Sequence, residues 1–80
     1  MRLDKYLKVS RLIKRRTVAN EACDAGKVVV NGKQARASYD VKEGDIIEIT
    51  LGARTVNVRV TAVKEVVRKE DAATMYEAVV

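Results

Sequence analysis

The hydrophobic pattern of this chain changes its period at Gly26, and no other sequence feature constrains the fold as strongly. Before Gly26, apolar residues recur at the spacing of one helix face, which predicts two helices. A short amphipathic helix near the N-terminus carries Leu3, Tyr6 and Leu7 on its apolar side. A second helix, predicted over about residues 16–25, has an apolar stripe made of Val18, Ala19, Ala22 and Cys23. Gly26 ends this helix, because glycine readily adopts the left-handed conformation found at helix C-termini.

After Gly26 the pattern is that of strands. The β-branched run Val28–Val30 precedes Asn31-Gly32, a dipeptide that tolerates the positive φ angles of a type I′ turn, so a hairpin into residues 33–36 is predicted. Two further strands follow, one over Ile46–Leu51 and one that alternates with valine on a single face. Residues 70–76 are rich in Ala, Glu and Met and predict a short C-terminal helix.

The expected fold class is α+β, with two N-terminal helices packed on a small, mostly antiparallel sheet and a short C-terminal helix. A chain of 80 residues has room for one hydrophobic core, so residues 1–80 are expected to form a single domain. Because the chain has no Phe, Trp or Pro, that core must consist mainly of Val, Ile, Leu and Ala.

Few residues in the chain suit catalysis. There is no histidine, and the one cysteine, Cys23, falls in the apolar stripe of the second predicted helix, where cysteine is usually a small buried hydrophobe. Acidic residues beside turns, such as Asp40, Glu43 and Asp45, are expected to be solvated rather than paired for acid-base work. We therefore expect a protein that is not an enzyme and has neither a metal site nor a cofactor.

Positive charge is concentrated in the first half of the chain. The net charge is +5, and residues 1–40 hold ten Lys or Arg against four Asp or Glu. Such a surface attracts nucleic-acid phosphates, and arginine adds planar donation and stacking on bases, although a solvated helix face is the alternative explanation of a basic cluster. The candidate RNA-binding residues are Arg2, Lys5, Lys8, Arg11, Lys14, Arg15, Arg16, Lys27 and Lys33, and Arg36 adds a further cation near the hairpin. Arg16 would open the second helix, where free backbone N–H groups help to hold a phosphate.

An ordered set of short motifs resembles a known RNA-binding family. The motifs are Arg2-Leu3-Asp4-Lys5-Tyr6-Leu7, Arg16-Thr17-Val18-Ala19, Gly26-Lys27-Val28-Val29-Val30-Asn31-Gly32 and Val41-Lys42-Glu43-Gly44-Asp45-Ile46-Ile47. Together they resemble the αL RNA-binding domain first described in small-subunit ribosomal protein four. The resemblance covers residues 2 to about 49. It implies that the two helices and the adjoining hairpin form an RNA-binding surface without catalytic residues.

Among stand-alone members of that family, the chain is most similar to RqcP, a ribosome-quality-control family. The discriminating segments are residues 7–17 and the ending Ala72-Ala73-Thr74-Met75-Tyr76. The resemblance implies a cytoplasmic, ribosome-associated protein that binds ribosomal RNA and peptidyl-tRNA on obstructed large ribosomal subunits. It also implies cooperation with RqcH in template-free alanine addition, with Arg2 and Arg16 as the leading contacts. The heat-shock-type ribosome-associated protein of proteobacteria, which recycles tRNA-bearing large subunits, is the alternative within the family.

Three other functions remain open on sequence grounds. A DNA-binding module would use residues 16–26 as its recognition helix, but Asn20, Glu21 and Asp24 are poor residues for a phosphate-lined groove. A membrane-surface module would use the first helix, but Leu3, Tyr6 and Leu7 are better explained as core residues. The chain could also be a fragment of a larger RNA-modifying enzyme. We expect a monomer that binds neither DNA nor membranes.

Overall fold

A computed structural model describes residues 1–64 and 68–79, which form two helices, a five-stranded antiparallel sheet and one 3-10 helix. The helices are α1 (Leu3–Val9) and α2 (Arg16–Asp24). The strands are β1 (Val28–Val30), β2 (Lys33–Gln34), β3 (Ile46–Leu51), β4 (Arg54–Val60) and β5 (Tyr76–Ala78), in the spatial order β2-β1-β3-β4-β5. The 3-10 helix, η1, spans Lys69–Met75. The α+β prediction is confirmed, with both N-terminal helices and most strands where the sequence indicated.

The core lies between the inner face of the sheet and the two helices. Cross-strand pairs such as Val28 with Ile49 and Ile47 with Val58 bring alternate β-branched residues onto that face. These residues meet the apolar side of α1, on which Leu3, Tyr6 and Leu7 are fully buried. Burying large apolar side chains is the main stabilising term in a domain this small. The interpretation of the first helix as a core element is confirmed.

The apolar stripe of α2 is narrower than predicted. Ala19, Ala22 and Cys23 are buried against α1 and the sheet, but Val18 is 43% exposed. Small residues at these three positions let the two helices approach closely, and the wider arc that would include Val18 faces away from the core. The assignment of Val18 to the buried stripe was therefore wrong.

The turn at Asn31-Gly32 has the predicted geometry. Asn31 has φ of 52° and Gly32 has φ of 84°, so both central residues are left-handed, as a type I′ turn requires. The Asn31 side chain also accepts a bond from Ile46 N–H at 2.9 Å and donates to Asp45 at 3.0 Å. The hairpin is thereby attached to the start of β3.

Asp45 is a buried carboxylate, contrary to the expectation of a solvated turn residue. Only 9% of the residue is exposed, and its side chain accepts bonds from Asn31 Nδ2, from Tyr39 Oη at 2.9 Å and from Lys42 N–H at 3.0 Å. Burial raises the pKa of Asp45, but these three bonds lower it by more, so the pKa lies below its ordinary value. The network orders the long connection between β2 and β3.

The C-terminal helix predicted over residues 70–76 is instead the 3-10 helix η1 followed by β5, and this is a correction. Ala72 and Met75 are buried, and residues three apart share a face in a helix with three residues per turn. Tyr76 then pairs with Val60, so β5 covers the outer edge of β4. Tyr6 Oη donates to the Met75 carbonyl oxygen at 2.6 Å, which joins this segment to α1.

Candidate nucleic-acid interface

The start of α1 is fixed by the connection that follows β2. Leu3 N–H donates to the Tyr39 carbonyl at 2.8 Å, and Asp4 N–H donates to the Ala37 carbonyl at 3.2 Å. These bonds satisfy two of the N–H groups that a helix N-terminus leaves without intrahelical partners. Arg2, which precedes the helix, forms an isolated β-bridge with Asp40. The backbone around Arg2 is therefore attached to the segment after β2.

Asp4 brings two of the predicted RNA-binding arginines together. Its side chain is 3% exposed and lies between the N-termini of α1 and α2. Arg2 donates to it from Nε at 3.1 Å and from Nη2 at 3.3 Å, in a two-pronged arrangement. Arg16 Nε lies 3.4 Å from Asp4 Oδ2, the oxygen that also accepts from Arg2 Nη2. One buried carboxylate thus orients two guanidinium groups that are far apart in the sequence.

The Asp4 carboxylate is saturated by donors. Besides the two arginines, Asn20 Nδ2 donates to it at 3.3 Å and Lys5 N–H donates at 2.8 Å. Burial raises the pKa of Asp4, but the bonds from Arg2, Asn20, Arg16 and Lys5 N–H lower it further, so the pKa lies below its usual value. The carboxylate therefore remains ionised at neutral pH.

Both arginines keep donors for a ligand. The side chains of Arg2 and Arg16 are 52% and 48% exposed. A guanidinium has five N–H donors, and Asp4 engages only part of each group. A planar cation held on one edge by a buried carboxylate presents its other edge to solvent in a defined direction. This arrangement suits the binding of phosphate oxygens or the edge of a base.

The remaining candidate cations are distributed over a wider surface. Lys8 lies in the last turn of α1, and Arg11, Lys14 and Arg15 lie in the connection to α2. All four are exposed, and Arg11 has a left-handed backbone with φ of 65°. Lys5 is half-buried on α1. These cations extend the positive surface along the two-helix layer, and their contact with RNA stays a prediction.

Lys27 and Lys33 do not join the arginines at Asp4. Lys27 borders a hollow with Val18, Thr50 and Leu51, below the end of α2. Lys33 borders a different hollow with Asn31 and Tyr39, beside the hairpin. The sequence grouped all these cations by charge alone, but the fold divides them among separate surfaces.

A polar cleft adjoins Arg2 and was missed by sequence reasoning. It lies between α2 and the segment after β2, has a volume of about 540 Å³, and includes Asn20, Gln34 and Arg36 in its lining. Asn20 was interpreted only as a polar helix position. A helical wheel of α2 places Asn20 next to Arg16, one turn away, which is the one sequence signal that pointed to a shared role.

Cys23 is a buried thiol, as predicted. It is 6% exposed, and burial together with the charges of Asp4 and Asp24 raises its pKa to about 11. Among residues 1–64 and 68–79 there is no cluster of three or more metal-ligating side chains. No helix in the described part of the chain is long and apolar enough to cross a bilayer.

Comparison with known proteins assigns the chain to a family. The model of the S4 domain family matches residues 1–47. The chain is 60% identical over 77 residues to the RQC P-site tRNA stabilizing factor of Halalkalibacterium halodurans, covering 96% of this chain and 88% of the relative. It is 55% identical over 76 residues to the factor of the same name from Bacillus subtilis, with 95% and 88% covered.

A solved structure agrees with this assignment. The trimeric Heat Shock Protein 15 of Vibrio cholerae superimposes with a TM-score of 0.92 at 29% identity, over 99% of this chain and 81% of that one. The predicted resemblance to the αL domain and to RqcP is confirmed by these matches. The chain belongs to the S4 domain family and, within it, to the family of the RQC P-site tRNA stabilizing factors, RqcP.

Proposed function

We propose that this chain is a non-enzymatic, RNA-binding factor that associates with the ribosome in the cytoplasm. In this proposal it binds ribosomal RNA and peptidyl-tRNA on obstructed large subunits and supports template-free alanine tailing by RqcH. The chain would act as one αL-type RNA-binding unit over residues 1–80 and as a monomer. The relatives' name, RQC P-site tRNA stabilizing factor, supports the tRNA and quality-control parts of the proposal.

The observation that carries the proposal is the pair of arginines held on Asp4. Arg2 and Arg16 are about half exposed and are oriented by a buried, ionised carboxylate. Arg–phosphate contacts are charge-assisted and often two-pronged, so pre-oriented guanidinium groups lose less entropy on binding. The surrounding exposed cations, Lys8, Arg11, Lys14 and Arg15, would add contacts that depend on charge more than on geometry.

The chain would contribute to alanine tailing by positioning ribosomal RNA and tRNA relative to one another. Holding two RNA molecules in a productive arrangement removes much of the entropic cost of their encounter. Its one thiol, Cys23, is buried and has a pKa of about 11, so it does not supply a nucleophile at neutral pH. Peptide extension itself would remain the work of RqcH and the ribosome.

Sedimentation with large subunits tests the RNA-binding surface. Purified chain is mixed with large subunits that carry peptidyl-tRNA, with vacant large subunits and with duplex DNA, over a series of potassium chloride concentrations. We expect binding to tRNA-bearing subunits that falls steeply with salt, because each phosphate contact releases condensed counterions. Equal affinity for duplex DNA, or a flat salt response, would contradict the proposal.

A matched pair of variants tests whether this binding uses the arginines held on Asp4. Arg16→Ala removes one of the arginines on Asp4, whereas Arg54→Ala removes one exposed cation from the start of β4. Both lose one positive charge, so binding that depended on net charge alone would weaken equally in both. We expect Arg16→Ala to reduce sedimentation with tRNA-bearing subunits about tenfold or more and Arg54→Ala to have little effect. Equal losses would assign binding to net charge alone.

A deletion strain tests the cellular role. C-terminal alanine tails on a non-stop reporter should shorten or disappear without the gene, and they should return with the intact chain but not with Arg16→Ala. Normal tails in the deletion strain would exclude the tailing role. The protein would then remain an RNA-binding ribosome factor.

A heat-shock-type recycling factor is the second candidate, and the TM-score of 0.92 with the Vibrio cholerae protein favours it. The two candidate functions differ in whether they depend on RqcH. A recycling factor should bind tRNA-bearing large subunits equally well with or without RqcH and should leave alanine tails unaffected. Because the Vibrio cholerae protein is trimeric, light scattering of this chain is also needed to test the proposed monomer.

A further inference from the structure

The polar cleft beside Arg2 contains uncharged and acidic side chains in addition to the cations that would bind a phosphate. It lies between α2 and the segment after β2, and its volume of about 540 Å³ falls within the range of small-ligand sites. Arg2 and Arg36 stand at the cleft together with four polar side chains. Those four are Asn20, Asp24, Gln34 and Ser38.

The polar groups of the cleft retain hydrogen-bonding capacity. Asn20 uses Nδ2 on Asp4 but leaves Oδ1 without a donor among the described residues. Within residues 1–64 and 68–79, the side chains of Asp24 and Gln34 form no hydrogen bond or ion pair. Both of these residues are exposed. A surface that groups unpaired acceptors and amides in one concavity can recognise a polar partner of matching pattern.

Gly26 shapes one wall of this cleft. Its backbone is left-handed, with φ of 74°, and a Cβ at this position would stand 2.5 Å from Gln34 Nε2. The absence of a side chain therefore lets Gln34 pack across the end of α2. The Gln34 amide is brought to the cleft by this close approach, together with Asp24 from the same end of the helix.

The charge pattern favours a base over a phosphate inside the cleft. Asp24 repels a phosphate but accepts from the N–H groups of a base, and the amides of Asn20 and Gln34 can donate and accept. The guanidinium groups of Arg2 and Arg36 at the same cleft can stack on a base or bind its flanking phosphates. Guanine is the best match for a carboxylate, because its Watson–Crick edge carries two adjacent donors.

We propose that this cleft receives one unstacked base of single-stranded RNA, with guanine preferred, and that Asp24 determines the preference. The proposal rests on the RNA-binding function above and adds a base-specific contact to it. Single-stranded segments are the usual targets of sequence-specific RNA recognition, because their bases can be turned out of the stack.

Side-chain amide resonances provide a local test. The full-length chain is labelled with ¹⁵N and titrated at low salt with three RNA oligomers: hexauridylate, the same hexamer with one internal guanosine, and the same hexamer with an abasic ribose at that position. All three carry the same phosphates. Asn20 and Gln34 report on the cleft, and Asn57, an exposed residue of β4, is the control.

The guanosine hexamer should shift the Asn20 and Gln34 amides saturably while Asn57 stays unchanged. It should bind about tenfold more tightly than the abasic hexamer, which is within the range for a good two-pronged base contact. Asp24→Asn should reduce that ratio below about threefold, whereas Glu48→Gln, which removes the same charge from an exposed position of β3, should preserve it.

The outcomes separate this inference from the proposed function. Equal binding of all three hexamers, or cleft amides that do not move, overturns the base-binding cleft while RNA binding survives. A guanosine preference that Asp24→Asn leaves intact overturns the role of Asp24. Failure to bind any hexamer, together with failure to sediment with large subunits, overturns both proposals. If Asp24→Asn is misfolded by its ¹⁵N spectrum, Asp24→Glu replaces it and must also reduce the guanosine preference.

Discussion

Replacing Asp4 with Asn tests whether the junction of the two helices depends on a buried charge. The side chain is 3% exposed and accepts from Arg2, Arg16, Asn20 and the backbone N–H of Lys5. Asn keeps the size of the side chain but removes the negative charge and replaces one acceptor oxygen with a donor. The two guanidinium groups then face an amide that can no longer neutralise them.

The magnitude follows from the exposure of the partners. A hydrogen bond to a charged group contributes about 1.5–3 kcal/mol to stability when it is buried. The two arginines are about half exposed, so solvent screens the contribution of each to about 1 kcal/mol, below that range. We expect Asp4→Asn to lower the free energy of unfolding by about 2 kcal/mol, which lowers the Tm of a domain of this size by roughly 8–16 °C.

The pH dependence of this loss has a definite sign. Burial raises the pKa of Asp4 but the bonds from Arg2, Asn20, Arg16 and Lys5 N–H outweigh it, so the folded pKa lies below the unfolded one. The ionised carboxylate therefore contributes its full stabilisation above the unfolded pKa, near pH 4, and loses it as the pH falls through the folded pKa. The difference between Asp4→Asn and the unaltered chain should narrow below about pH 4.

Urea denaturation at neutral and acidic pH measures both effects. Asp24→Asn is the control, because Asp24 is exposed, has no hydrogen-bond or ion-pair partner among the described residues, and should change stability by less than about 0.5 kcal/mol. If Asp4→Asn is as stable as Asp24→Asn at neutral pH, the buried carboxylate does not stabilise the helix junction. A difference that persists unchanged at about pH 3 would refute the electrostatic explanation.

Three further predictions concern other parts of the chain. Tyr6→Phe removes the hydroxyl donor to the Met75 carbonyl, which keeps the N–H of Thr61 at 2.9 Å, and should cost about 0.5–1.5 kcal/mol in urea denaturation, whereas Tyr76→Phe should cost less than about 0.5 kcal/mol. Cys23 should react with a thiol reagent far more slowly in the native chain than in urea, because it is buried and its pKa is about 11; equal rates would contradict its placement. Arg2→Ala should reduce the salt slope of ribosome binding by about one, and an unchanged slope would exclude a phosphate contact at Arg2.

Local periodicity was sufficient to predict most of the elements. The apolar spacing of α1, the glycine after α2 and the valine alternation of β4 are signals contained within a few residues. The segment Tyr76–Ala78 carries no such signal, and it is a strand because β4 offers an unpaired edge. A tertiary contact therefore decided the conformation of the C-terminal segment, which sequence composition had favoured as a helix.

The candidate site was predictable in its charge but not in its geometry. Composition located the cations in the first half of the chain, and Arg2 and Arg16 were identified from their motifs. The burial of Asp4 and Asp45 was not predictable, because their partners come from distant positions: Arg16 and Asn20 for Asp4, and Asn31 for Asp45. An acidic residue beside a turn or in a basic helix is usually solvated, and only the fold supplies the donors that permit burial.

The position of Asp4 opposes simple attraction between this surface and RNA. A carboxylate among Arg2, Lys5, Lys8 and Arg11 lowers the local positive charge, and nonspecific affinity grows with the number of phosphates that cations neutralise. The same carboxylate fixes the direction of two guanidinium groups and, through Asn20, joins them to the wall of the neighbouring cleft. A surface selected only to attract polyanions would gain by losing Asp4. The arrangement therefore favours recognition of an RNA with a defined shape over indiscriminate binding to polyanions.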